Sequence, residues 1–174
     1  MKFDPSTVQT SVASPLGTIT IAATDKGLAG LWFTEGQRYL PAAITGSAAW
    51  PEDADHPVLQ QVSQQLSEYF AGQRSHFEVP LDLNCGTAFQ QSVWQALLAI
   101  PQGGTVSYGE VSRRIGKPAA VRAVGGAVGR NPVSIIVPCH RVMGSNGALT
   151  GYGGGLARKT ALLRLEGAVA GKLA

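Results

Sequence analysis

Hydrophobic and polar residues follow different periods in the two halves of this 174-residue chain. In the first half, apolar and β-branched residues alternate loosely in three stretches separated by turn-forming residues: 8–13, 18–23 and 28–33. This alternation predicts three strands. Apolar residues then recur at helical spacing from Pro57 until Gly72, which predicts one helix. A short edge strand is expected at 77–81.

In the second half, apolar residues recur at helical spacing. Thr87 and Gln90 form a capping-box pair at the start of a first helix, and Ser107 and Glu110 repeat the pattern at a second. Apolar spacing and helix-opening or helix-ending residues predict two more helices, over 119–128 and 156–166. The second and third of these helices are joined by a short turn that contains glycine, a pattern typical of a helix-turn-helix.

These elements predict a mixed α+β fold with two domains. Residues 1–84 would form a small sheet-plus-helix domain with a supporting role, and residues 85–174 a mostly helical domain that carries the helix-turn-helix. Charge divides near the same place. Residues 1–86 hold four basic and nine acidic side chains, whereas residues 87–174 hold ten basic and two acidic ones. A strongly basic domain favours a polyanionic partner such as nucleic acid.

Composition argues against several other classes of protein. The first residues are polar rather than a signal sequence, and no apolar run approaches the roughly 20 residues of a membrane helix. Two cysteines do not make a disulfide framework, which indicates a reducing, cytoplasmic setting. The histidines, His56, His76 and His140, are too scattered for a metal site, so no metal or cofactor is expected.

The strongest candidate for chemistry is the run Cys139-His140-Arg141. The β-branched residues 135–137 predict a short buried strand that Pro138 ends, which would give the thiol a rigid support. A thiol reacts as the thiolate, so its pKa of about 8.5 must be lowered by a base or by positive charge. His140 is the candidate base and Arg141 the positive charge. Because adjacent residues of an extended chain point to opposite sides, a water relay or a local kink is expected between imidazole and sulfur.

The imidazole needs an acid to fix its tautomer. From Thr87 onward the chain contains two acidic residues, Glu110 and Glu166, and the capping pattern gives Glu110 a structural task. Glu166 is therefore the candidate partner of His140. The alternative is that Cys139 is a small buried hydrophobe and its neighbour a core histidine. The flanking proline and the basic surroundings favour a functional site.

The helix predicted at 119–128 is unusual for a major-groove reader, because Arg122 is its one long polar side chain. Gly125 and Gly126 each cost about 1 kcal/mol relative to Ala inside a helix. One explanation is that the helix backbone approaches a minor groove closely, with Arg122 filling the place of an extruded base. The other explanation is tight helix packing, and both can hold on different faces.

Two loops flank the candidate thiol. Asn131-Pro132 is expected to end the third helix, and the Asn side chain to bond backbone near the thiol. The stretch 151–155 contains four glycines and Tyr152, a composition that cannot form core. It predicts a pocket wall that offers backbone N–H groups, with a plain linker as the alternative.

Taken together, these motifs resemble one known family. Five segments are similar, in order and spacing, to the O6-alkylguanine-DNA alkyltransferases: Ser107-Tyr108, 120–126, Asn131-Pro132, 138–142 and 152–156. The resemblance runs from about Thr87 to Gly167 and reaches the first half only in outline, where it implies a ribonuclease-H-like domain. It implies a monomeric, single-turnover repair protein without cofactor or membrane partner. The protein would flip an O6-alkylguanine, or an O4-alkylthymine, out of duplex DNA and move the alkyl group irreversibly to Cys139.

The resemblance also implies roles for individual residues. Cys139 is activated through a water by His140, which Glu166 orients. Asn131 bonds backbone near the site, and Tyr108 helps to rotate the nucleotide and protonates the departing base. The surface that contacts DNA would contain Tyr108 and five further residues, of which the first replaces the flipped base: Arg122, Ala123, Gly125, Gly126 and Arg130. The substrate pocket would be lined by Ser134, Arg141, Val142, Tyr152, Gly153 and Gly154.

The chain departs from some relatives at Ser134, where they have proline, and at Gly153, where vertebrate proteins have serine. The preference among alkyl groups therefore stays open. Two rival functions also remain: a helix-turn-helix regulator with a structural cysteine, and a thiol hydrolase that uses Cys139 and His140 repeatedly. Alkyl transfer ranks above both, because only this function uses the thiol and the basic half together.

Overall fold

The computed structural model of this chain describes residues 1–168, which divide into two compact units between Gly86 and Thr87. The N-terminal unit is built on an antiparallel sheet in the order β1-β2-β3, with strands Val8–Val12, Ile19–Thr24 and Gly27–Phe33. Every residue of β2 and β3 is buried. The three strands predicted from alternation are confirmed, with their ends shifted by one residue at most.

One helix, α1 (Pro57–Phe70), contacts all three strands of the sheet. It begins where the imidazole Nδ1 of His56 accepts a hydrogen bond from the Val58 N–H at 3.2 Å. It buries Leu59, Val62 and Leu66. The edge strand predicted at 77–81 is wrong in extent: only a single parallel bridge joins Leu81 to Leu28. Pro80 has no N–H to extend the pairing, although its carbonyl accepts from the Leu28 N–H.

The second unit is mostly helical. Its helices are α2 (Ala88–Leu97), α3 (Tyr108–Arg114), α4 (Val121–Gly129) and α5 (Leu156–Leu165). Two short parallel strands, β4 (Val106–Ser107) and β5 (Val142–Met143), join its distant segments. Trp94 of α2 is fully buried, and its indole N–H donates to the carbonyl of Ala127 at 2.8 Å, which ties α2 to α4.

The helix starts depend on capping. At α2 both halves of the predicted capping box are present, because Thr87 accepts from the Gln90 N–H and the Gln90 side chain accepts from the Thr87 N–H. At α3 Ser107 caps the helix, but the Glu110 carboxylate bonds Arg113 and Arg114 instead of reaching back. The second capping box is therefore only half formed.

The third predicted helix begins later than the sequence pattern suggests. Residues 118–119 form a turn, and α4 starts at Val121 after Ala120, which provides no side-chain cap. Helices α3 and α4 contact each other across this turn. Within residues 1–168, none of the helices has both the length and the apolar character needed to cross a bilayer.

Candidate active site

The segment between α4 and the thiol is a compact turn rather than the predicted buried strand. The Asn131 side chain organises it: Oδ1 accepts from the Val133 N–H at 2.9 Å, and Nδ2 donates to the Val137 carbonyl at 2.7 Å. Ile135 has a φ of 71°, a left-handed conformation that β-branched residues rarely adopt. The strand prediction is wrong because bonds between the Asn side chain and nearby backbone replace the bonds of a ladder.

Cys139 is the first residue of a 3₁₀ turn, Cys139–Arg141, and only 6% of its surface is exposed. Burial raises the pKa of its thiol to about 11, although the Asn131 amide and the positive charge of Lys159 act in the opposite direction. At neutral pH the thiol is therefore protonated in the free protein. The lowered pKa that the sequence predicts for this thiol is therefore not found in the free protein, and reaction as a thiolate would need a base to take the proton.

The predicted partner of His140 is confirmed in position. The imidazole Nε2 and the Glu166 carboxylate are 2.7 Å apart, and both side chains are fully buried. Helix α5 ends at Leu165 and Gly167 has a φ of 75°, which places Glu166 at the helix C-cap. Burial lowers the pKa of His140 despite the Glu166 carboxylate, which raises it. Among residues 1–168 the other ring nitrogen, Nδ1, has no hydrogen-bonding partner.

Arg141 occupies a different place from the one expected. Its Nε donates to Glu166 Oε1 at 2.8 Å and its Nη2 to Oε2 at 3.0 Å, while Nη1 donates to the Ile100 carbonyl at 2.5 Å. The guanidinium is thus bound by a carboxylate and a backbone carbonyl. The side chain therefore supports the His140–Glu166 pair, whereas the sequence predicted it as a positive charge beside the thiol and as part of the pocket wall.

Lys159 is a residue that the sequence reasoning missed. Its side chain is completely buried in α5, and Nζ donates to the carbonyls of Val142, at 2.7 Å, and Thr150, at 3.2 Å. Burial lowers its pKa to about 8, while Cys139 raises it. A signal existed in the sequence, because Lys159 lies three and four residues before Leu162 and Leu163, which are buried on the same helix.

Three residues expected in the substrate pocket are buried close to the thiol segment: Ser134, Val142 and Tyr152. The ring of Tyr152 lies edge-on to the ring of His140, with 6.5 Å between centroids. Burial and the nearby Cys139 raise the pKa of Tyr152 well above its usual value. Of the two pocket glycines, Gly154 is buried and its carbonyl accepts from Arg158 at 3.3 Å, whereas Gly153 is partly exposed.

Tyr108 is the first residue of α3, and its phenol oxygen accepts a hydrogen bond from Thr150 at 3.1 Å. A methyl group built on Gly125 would be 4.0 Å from the Tyr108 ring, which places this ring beside α4. Tyr108 therefore connects α4 with the loop that precedes α5. Thr150 is a second residue that the sequence reasoning did not identify.

Helix α4 has a buried face and an exposed face. Val124, Ala127 and Val128 are buried. The residues expected to contact DNA are exposed, apart from the half-buried Gly125: Arg122, Ala123, Gly126 and Arg130. A methyl group on Gly126 would meet no atom within 4 Å, so packing does not require this glycine. Within residues 1–168, no His, Cys, Asp and Glu side chains group as metal ligands would.

The fold and the site define an α+β protein of two units, the second of which buries a thiol beside an imidazole–carboxylate pair. Residues 7–83 match the family model of the 6-O-methylguanine DNA methyltransferase ribonuclease-like domain, and residues 88–168 match that of its DNA binding domain. A methylated-DNA–protein-cysteine methyltransferase of Mycobacterium leprae is 49% identical over 157 residues, which cover 90% of each chain. The chain therefore belongs to the methylated-DNA–protein-cysteine methyltransferase family.

Solved structures support the same assignment. The structure of Mycobacterium tuberculosis OGT in complex with DNA is similar to this chain, with a TM-score of 0.81 and 48% sequence identity. The similarity covers 92% of each chain. The O6-methylguanine-DNA methyltransferase from Pyrococcus kodakaraensis is 23% identical with a TM-score of 0.63, over 92% of this chain and 99% of the other. The second similarity extends to the fold alone.

Proposed function

We propose that this protein repairs DNA by moving an alkyl group from O6 of guanine to its own Cys139. The observation that carries the proposal is the buried thiol in the same short turn as His140, whose other partner is Glu166. A raised thiol pKa demands a base, and His140 is kept neutral by burial. Relatives named methylated-DNA–protein-cysteine methyltransferase support transfer of an alkyl group from DNA to a cysteine as the reaction.

In the proposed step, His140 takes the proton of Cys139 through a water while the sulfur attacks the alkyl carbon. The carbon–sulfur bond forms, the bond to O6 breaks, and its electron pair leaves with guanine. The departing base takes a proton from Tyr108. Exchange with solvent then returns a proton to Tyr108 and removes the extra proton from His140, so the net change is transfer of the thiol proton to the base. A thioether is a very poor leaving group, so each molecule reacts once.

The substrate would be double-stranded DNA that contains the lesion. We place its minor groove against the exposed face of α4, where Arg122 fills the gap left by the flipped nucleotide. Ser134, Val142, Tyr152 and the Gly153-Gly154 loop would then enclose the base. We extend the proposal to O4-alkylthymine as a second substrate, to a helix-turn-helix role for α3 and α4, and to a monomer that acts in the cytoplasm.

The test is to incubate the protein with a duplex that contains O6-methylguanine and to analyse its peptides by mass spectrometry. We expect one methyl group on the peptide containing Cys139 and none on the peptide containing Cys85, the other free thiol. Cys85→Ser should react like the wild type, and Cys139→Ala should lose transfer but keep binding to DNA. Label on another residue, or none, would refute the proposal.

Counting turnovers separates the rival functions. A suicide transferase takes up at most one alkyl group per molecule even with a large excess of damaged DNA. A thiol hydrolase would release product repeatedly from a small ester or peptide. A regulator without chemistry would bind DNA equally well before and after exposure to the lesion and would gain no mass.

A further inference from the structure

The carboxylate of Glu166 is shared by two basic side chains. Its Oε1 accepts from Arg141 Nε at 2.8 Å, and its Oε2 lies 3.0 Å from Arg141 Nη2 and 2.7 Å from His140 Nε2. All three side chains are buried. Two parallel N–H groups of a guanidinium match the two oxygens of a carboxylate, so this pairing is both strong and fixed in direction.

The charge balance of this buried group decides the state of the imidazole. The guanidinium of Arg141 carries one positive charge, which balances the one negative charge of Glu166. His140 therefore needs no second proton. Burial lowers its pKa most, the charges of Arg141 and Lys159 lower it further, and Glu166 opposes them.

A neutral imidazole that faces a carboxylate carries its proton on the nitrogen next to that carboxylate, here Nε2. Nδ1 then has a free lone pair, and it is the buried ring nitrogen that has no partner among residues 1–168. This nitrogen can accept the proton of the thiol. Two further titratable side chains lie near His140: Cys139, its neighbour in the chain, and Tyr152.

We propose that Arg141 is a positioning residue that keeps His140 neutral and in one tautomer, so that Nδ1 can act as the base for Cys139. This inference rests on the proposed function, because it gives Arg141 a part in the same transfer. The bond from Arg141 to the carbonyl of Ile100, just beyond α2, anchors the guanidinium. Without Arg141, the buried carboxylate of Glu166 would draw a second proton onto His140, and an imidazolium cannot accept the thiol proton.

The test is the pH dependence of Arg141→Met. Free O6-benzylguanine is the probe, because it removes DNA binding from the measurement, and the rate of Cys139 alkylation is followed from pH 5.5 to 9.5. We expect the acid limb of the profile to move to higher pH by about one unit or more, since each unit of pKa corresponds to a tenfold change. The rate at pH 6 should then fall by a larger factor than the rate at pH 9.

Three variants act as controls. Arg141→Lys keeps the positive charge and should keep most of the wild-type profile. Arg164→Met removes an exposed arginine from α5, the helix whose C-cap is Glu166, and should change nothing. The double variant Arg141→Met with Glu166→Gln removes the uncompensated carboxylate and should return the acid limb towards its wild-type position. Equal losses at every pH, not relieved by the Gln substitution, would overturn the inference.

A measurement on the unaltered protein covers the case in which Arg141→Met does not fold. Nitrogen-15 NMR of His140 at pH 7 should show a neutral ring with its proton on Nε2, and an imidazolium or a proton on Nδ1 would overturn the inference. This outcome is separate from failure of the proposed function. A wild-type protein that takes no alkyl group on Cys139 refutes the transfer, whereas the NMR result still decides the state of the imidazole.

Discussion

At the scale of single residues, short-range bonds from a few buried polar side chains determine the geometry around the thiol. Asn131 makes two buried hydrogen bonds within its own turn, and Lys159 holds two carbonyls that are eight residues apart, Val142 and Thr150. Each of these groups is costly to bury without a partner. The turn that carries Cys139 therefore depends on polar side chains as much as on apolar packing.

Asn131→Ala tests this dependence. The substitution leaves the Val133 N–H and the Val137 carbonyl without their buried partner, and each such group costs about 1–3 kcal/mol. We expect the second unit to lose about 2–4 kcal/mol of unfolding free energy in urea denaturation, and alkyl transfer to be largely lost. Asn146→Ala is the matched control, because Asn146 accepts an equivalent bond from Ala148 at an exposed site. Equal effects of the two substitutions would contradict the structural role of Asn131.

At the scale of elements, α4 combines a structural face with a face that packing does not explain. Its buried valines and its bond to Trp94 hold it in the second unit. Its exposed face carries Gly126, although Ala would favour the helix by about 1 kcal/mol and meets no obstacle. Since stability does not require this glycine, it fits the proposed close approach of DNA to the backbone of α4.

Gly126→Ala separates these two explanations. We expect the free protein to gain about 1 kcal/mol of stability from the improved helix propensity, while its affinity for duplex DNA falls. Thermal unfolding and fluorescence anisotropy measure the two effects. Ser67→Ala, at an exposed position of α1, provides the control and should leave DNA binding unchanged. A variant that is more stable and binds DNA equally well would remove the minor-groove interpretation of α4.

At the scale of the whole molecule, charge is unevenly divided and not all of it is available to a partner. The first 86 residues are net acidic and the remaining 88 strongly basic. Within the described part of the second unit, Arg141 and Lys159 are buried, and Arg113 and Arg114 share the carboxylate of Glu110. Fewer basic side chains are therefore available to bind DNA than the net charge of the second half suggests.

The salt dependence of DNA binding reports how many basic side chains contact DNA phosphates. Release of counterions makes the logarithm of the affinity fall linearly with the logarithm of the salt concentration. In Arg130→Ala the slope of this line should become less steep by about one unit, because we expect the exposed Arg130 guanidinium to contact one phosphate. Lys26→Ala, in the acidic unit, should leave the slope unchanged. Binding that does not respond to salt, or equal slopes for both variants, would contradict an electrostatic role for the basic unit.

The sequence by itself determined most of the element types and the division of charge, and it indicated the candidate thiol. Alternation predicted β1 to β3, capping residues predicted α2 and α3, and the scarcity of acids in the second half led from His140 to Glu166. These inferences succeeded because they rest on local periods and on composition, which need no knowledge of distant contacts.

The tertiary structure decided what each buried polar side chain does. Residues 135–137 have the composition of a strand, yet the Asn131 side chain closes them into a turn. Arg141 follows the histidine in sequence but pairs with Glu166, and Lys159 reaches back to Val142 from α5. Burial, rather than the nearby positive charges, sets the pKa of Cys139. Apart from the local bonds of Asn131, these partners and this burial depend on residues far apart in the chain, so only the folded molecule specifies them.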